Sequence, residues 1–196
     1  MVLYVRDSIS FSDRKDLIPN DLEMVCIELS LPYNKSLLIS TWYRPPNSQA
    51  SIFDLWAGFL SKCDLEDKEL ILLGDLNCDV SKRVPDAHTC QLQLLCSLYQ
   101  IDQLIKESTR LTPMSATLID LILKNRPENI SRSGVIHMGI SDHCLVYAVR
   151  KHIPPKGRQK IREVRILKIL LRPILSGTCL KCPGRWCTRM QTQIYA

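Results

Sequence analysis

Asp75 and Asn77 stand two residues apart in "LILLGDLN", at the end of the most apolar run in the chain. On an extended strand, residues two apart point to one side, so this spacing offers a carboxylate and an amide to one spot, with Gly74 leaving room at the backbone. An Asx turn that closes the strand on itself is the competing reading. Asp142 and His143 are neighbours in "GISDHCLVYAV", and both reach one site where a loop enters a strand. Asp120 interrupts the apolar "TLIDLIL". A carboxylate there is costly unless it is paired, and His143 across the sheet would serve, with the carboxylate fixing the imidazole tautomer. Tyr43 and Arg44 lie in "TWYRPPNS", where two prolines force an extended exit and a forked guanidinium suits phosphate oxygens. A rigid strand-to-helix connection explains that segment equally well.

Elements must bring these groups together. "VLYVRD", "EMVCIELSL" and "KSLLISTWYRP" read as three opening strands. Ile52, Leu55, Trp56, Phe59, Leu60 and Cys63 form a helical stripe, with Asn47 and Ser48 as cap residues. "ELILLGDLN" follows as a strand, and Leu92, Leu95, Cys96 and Tyr99 repeat the helical spacing. "IDQLI", "TLIDLILKN", "GVIHMG" and "HCLVYAV" read as short strands. Several strands with two helices between them predict an α/β (α+β) sandwich, its helices covering sheet faces.

The totals agree with one folded unit and a different tail. The chain has 196 residues, enough for one domain. It has no run of about 18 apolar residues to cross a bilayer, and early charge at Arg6 and Asp7 argues against an export signal. Of nine cysteines, the six before residue 150 are scattered singly, as reduced nuclear or cytoplasmic thiols are. Up to Arg150 there are 15 basic and 19 acidic residues, net −4, and from Lys151 onward 11 basic and 1 acidic, net +10. The overall charge of +6 therefore describes the tail, which has prolines in its apolar run and no stable period. Cys179, Cys182 and Cys187 form a C-x₂-C-x₄-C run without the fourth ligand that a zinc site needs.

Taken in order, "WYRPPNS", "LLGDLN", "TLIDLIL" and "SDH" resemble the endonuclease/exonuclease/phosphatase family. They are most like the endonuclease region that opens non-LTR (LINE-type) retrotransposon polyproteins, where "YRPP", "GDLN", "TR", "IDLI" and "SDH" recur with similar separations. The resemblance implies a DNase I-like four-layer fold over residues 1–150 and a metal-dependent DNA-nicking phosphodiesterase. Asp75 would orient or deprotonate the attacking water and Asn77 would hold the scissile phosphate. His143, oriented by Asp120, would act in charge stabilisation or proton transfer. Asp142 would sit near the metal or its water, and Tyr43, with Arg44, would touch the phosphate. DNA is the implied partner, with no membrane and no small-molecule cofactor.

Departures from the family pattern shape the remaining expectations. The family's asparagine and its principal metal-ligand glutamate precede the segment matched by "VLYVRD", and Glu23 and Glu28 follow it without matching. Mg²⁺ or Mn²⁺ is then expected to bind weakly, through Asp75, Asp142 and waters, in a sandwich that is incomplete through N-terminal truncation. Residues 151–196 are expected to be a basic irregular tail, disordered or, after about Arg165, out of the native reading frame. Two other functions remain open from sequence: a phosphatase of the same fold, and a non-enzymatic retroelement remnant whose basic tail binds nucleic acid non-specifically.

Overall fold

Strand β3 (Leu37–Trp42) and strand β4 (Glu69–Asp75) are the centre on which the rest is built. They run parallel, with Thr41 beside Leu73. A parallel pair needs a crossover, which is helix α1 (Ile52–Leu65). Its buried Phe53, Trp56, Phe59, Leu60 and Cys63 face the sheet. The indole of Trp56 stacks on Trp42 at 5.2 Å between ring centroids, and Phe53 packs edge-on to both.

The computed structural model describes residues 1–31 and 35–151. The expectations of disorder or frame change in the tail, and the cysteine run at Cys179, Cys182 and Cys187, lie outside the described residues. A six-stranded sheet has the order β1-β2-β3-β4-β8-β5, with β1 at Ser10–Asp13, β2 at Met24–Ser30, β5 at Asp102–Gln103 and β8 at Asp120–Lys124. Apart from β3 and β4, its neighbours pair antiparallel. Two ribbons complete the set: β6 (Arg110–Thr112) with β7 (Ser115–Thr117), and β9 (Ile130–Ile136) with β10 (Leu145–Arg150). Helix α2 (Ala87–Leu98) starts at Asp86, whose side chain accepts from Thr89 N at 2.8 Å. No helix among the described residues is long and apolar enough to cross a membrane, and the six described cysteines are free thiols. This mixed sheet with few helices is the expected α/β class.

Two local expectations are corrected. "VLYVRD" forms no strand, and Val2 and Tyr4 stand exposed. The free edge of β2 is taken by Ser10–Asp13, and β-propensity without an edge to pair with does not make a strand. Asn47 and Ser48 do not cap α1. The helix begins after Ser51, and Ser48 Oγ instead accepts from Arg44 Nη1 at 2.8 Å. The β6–β7 hairpin was not anticipated, because strands of three residues each are too short to show a period.

Glu69 joins the second ribbon to the sheet. It follows the opposite face parity to Leu70, which packs by Leu60 and Cys63 under α1. Its buried carboxylate binds Lys124 Nζ, the Arg150 guanidinium at 2.8 Å and Asn129 Nδ2 at 3.1 Å. Burial raises the Glu69 carboxyl, but the hydrogen bonds from Arg150 and Lys124 outweigh it and hold the group below the usual carboxylate range. Burial likewise draws the Lys124 ammonium below the usual lysine range, against the raising effect of Glu69.

Candidate active site

β4 ends at Asp75 because Asn77 adopts a left-handed backbone, φ 46°, which asparagine tolerates better than most residues. Asp75 Oδ1 accepts from Asn77 N at 3.0 Å, an Asx turn. The two-apart rule thus stops applying one residue too early for Asn77. Its amide Nδ2 turns away and donates to Arg44 O at 2.9 Å. Gly74 is required for close approach, though by the neighbouring strand rather than by a ligand: a Cβ there would lie 1.8 Å from Trp42 O.

Arg44 is employed differently from its sequence expectation. Strand alternation carries it to the side of Trp42, where it is 2% exposed. Nε donates to Leu76 O at 2.6 Å, Nη2 to Asn77 O at 2.8 Å, and the guanidinium carbon lies 5.8 Å from the Phe53 ring centre. Its backbone N donates to Asp75 O at 3.1 Å. A fork that meets these carbonyls holds the Asp75–Asn77 loop in place, and those donors are not presented to a phosphate. Tyr43, on the opposite parity, is 37% exposed beside this loop.

Asp75 and Asp120 are direct partners across β4 and β8, so their side chains share a face. His143 Nδ1 lies 3.0 Å from Asp120 Oδ2. An ionised carboxylate only accepts, so the ring nitrogen facing it is the protonated one, and Nε2 is left for the site. One ligand atom from each of Asp75, Asp120 and His143 lies within 4.8 Å of the others. Burial raises the Asp75 carboxyl, and the charge of Asp120 adds to this. Asp142 stands apart from that trio. Its carboxylate accepts from Arg110 Nε at 2.8 Å, and both side chains are 43% exposed. The Arg110 hydrogen bond holds Asp142 below the usual range.

Thr109 was missed by sequence reasoning, although it stands in the "TR" pair. It is fully buried. Its Oγ1 accepts from Asp120 N at 2.9 Å and Ile119 N at 3.2 Å, while its carbonyl accepts from Cys144 N at 2.7 Å. One residue thereby fixes the strand of Asp120 and the segment of His143 that leads into β10. Asp79 has a similar part, with Oδ1 accepting from Leu118 N at 3.0 Å and closing the loop after β4 against the start of β8.

No family model matches the chain, and no curated protein matches it. Solved structures do. The endonuclease domain of TRAS1, a telomere-specific non-LTR retrotransposon, superposes with a TM-score of 0.58 at 14% identity, over 71% of this chain and 67% of that one. A 3′-5′ exonuclease, NExo, from Neisseria meningitidis gives 0.53 at 15% identity, over 74% and 71%. A 3′ phosphatase NExo variant from Neisseria bound to product DNA hairpin gives 0.52 at 15% identity, over 76% and 72%. The chain has the DNase I-like fold of the endonuclease/exonuclease/phosphatase proteins.

Proposed function

We propose that the chain is a metal-dependent phosphodiesterase of the non-LTR retrotransposon type, which nicks DNA. The convergence of Asp75, Asp120 and His143 within 4.8 Å at the carboxyl end of β4 carries this reading. The donor set fits a hard cation, because two carboxylates share one face and Asp75 spends only one oxygen on its turn. Asp75 and Asp120 would hold Mg²⁺ or Mn²⁺ with waters, while Asp142 stays on Arg110. So few protein oxygens give weak binding. Such an ion, when bound, supplies charge neutralisation at the phosphate.

The chain's own residues do the rest. Asp75, at the carboxyl end of β4, orients or deprotonates the attacking water. His143, oriented through Nδ1 by Asp120, presents Nε2 for a hydrogen bond to the phosphate or its leaving oxygen. Asn77, its amide turned to Arg44 O, serves by holding the loop, and the exposed Tyr43 hydroxyl offers a donor to the phosphate. Arg44 serves by holding the loop. The test is Mg²⁺-dependent nicking of supercoiled plasmid. Asp75→Ala and His143→Ala should each lower the rate about 10²-fold or more, and nicking that survives both would dismiss this site.

A phosphatase reading is favoured by one observation, the likeness to a structure described as a 3′ phosphatase. An oligonucleotide carrying a 3′-phosphate separates the two. Release of phosphate without internal cleavage would support the phosphatase.

A further inference from the structure

Arg110 is a cation at the candidate site to which the reading above gives no task. It opens β6 and is bridged antiparallel to His143, and residues so paired share a face. Asp75 and Asp120 are partners in the same way, and Asp120 binds His143. Strand pairing, a hydrogen bond and an isolated bridge therefore link the four residues into one row: Asp75, Asp120, His143, Arg110.

That row, with Asp142 beside it, carries three carboxylates, and a phosphate diester brings a further negative charge. The approach of such a group needs compensating charge supplied by the protein as well as by any metal. We propose that Arg110 is an anion-binding residue of this site, taking a non-bridging phosphate oxygen with its terminal Nη nitrogens while Asp142 steadies it through Nε. The inference rests on the site being a phosphodiester centre. Its geometry suits the task. Nε is engaged at 2.8 Å, and the Nη nitrogens have no protein acceptor among the described residues. The side chain is 43% exposed, so a ligand can reach it. The hydrogen bond and charge of Asp142, and the charges of Asp75 and Asp120, favour the guanidinium's charged form, which arginine keeps at any working pH. An exposed ion pair is weak in net, so the Asp142 contact does not prevent a phosphate from sharing the guanidinium.

Inorganic phosphate is the probe, and the imidazole resonance of His143 in NMR spectra of the full chain is the reporter, assigned by its loss in His143→Gln. This reading reports on the site itself. Phosphate should move the resonance saturably. Arg110→Gln should weaken that binding about tenfold, and Arg110→Lys should recover part of it. A resonance that phosphate does not move, or an unchanged affinity in Arg110→Gln, overturns the inference. If Arg110→Gln fails to fold, Arg110→Lys decides: weaker saturable binding supports the assignment, and unchanged affinity overturns it. Phosphate binding as described without plasmid nicking would sink the nuclease reading alone. Nicking with unchanged phosphate affinity in Arg110→Gln would sink the Arg110 assignment alone.

Discussion

A guanidinium with 2% exposure must find its acceptors inside the protein, and Arg44 finds them in the loop that aims Asp75. Lysine carries the same charge but not the fork, and cannot meet Leu76 O and Asn77 O together while lying against Phe53. Arg44→Lys is expected to lower stability by about 2 kcal/mol, read as a drop in the urea midpoint, and to slow nicking more than tenfold. Thr109 makes the complementary case. Thr109→Val keeps the shape but leaves the amides of Ile119 and Asp120 without their acceptor. That substitution should cost about 1–3 kcal/mol, whereas Thr109→Ser, which retains the hydroxyl, should recover most of it. A rescue by serine that fails in urea unfolding would show that the methyl group, not the hydroxyl, matters there.

Among elements, the contact between β3 and β4 sets the site's shape. At Gly74 the added methyl of Gly74→Ala would meet Trp42 backbone at 1.8 Å, and backbone cannot yield as a flexible side chain does. The strands must separate, so the variant should lose about 3 kcal/mol or more and lose nicking with it, as differential scanning calorimetry and the plasmid assay would show. β3, β4 and α1 were legible in sequence because each has a long, continuous apolar pattern. Asp120 was legible as a carboxylate needing a partner, since charge inside an apolar strand has few explanations. The Asx turn at Asp75 was legible only as an alternative, because alternation holds as long as the strand does, and a left-handed Asn77 ends it. Arg44 was assigned to phosphate by residue type, although its parity with Trp42 already pointed inward. What sequence could not supply was register: that Asp75 lies opposite Asp120, and Arg110 opposite His143, is decided by long-range pairing.

For the molecule as a whole, charge couples the layers and sets its response to acid. Glu69 joins β4, β8 and the β9–β10 ribbon through Lys124 and Arg150, two cations meeting one buried carboxylate. Removing it leaves Lys124 buried and unpaired, so Glu69→Ala should cost about 3–5 kcal/mol, whereas an exposed substitution such as Leu94→Ala should cost little. A second network joins Arg14, which precedes a 3₁₀ turn at Lys15–Leu17, to β2 and the end of α1: Arg14 binds Glu66 and, at 2.7 Å, Glu28, and Lys68 binds both carboxylates. The hydrogen bond from Arg14, then that from Lys68, holds the Glu66 carboxyl down at about 2. Glu69 is depressed as well. On acidification the unfolded chain takes up these protons first, so the stability the groups supply is whole above about pH 4.5 and is lost as pH falls from there towards 2. For Glu66, partly open to solvent, the loss should be about 1 kcal/mol after screening. Urea midpoints of the wild-type chain should therefore fall between pH 6 and pH 3, and Glu66→Gln should flatten that fall while lowering the midpoint at pH 6. An equally steep fall in Glu66→Gln would mean that Glu66 does not govern acid sensitivity, leaving the other carboxylates held below their usual range, Glu28, Glu69, Asp79 and Asp86 among them.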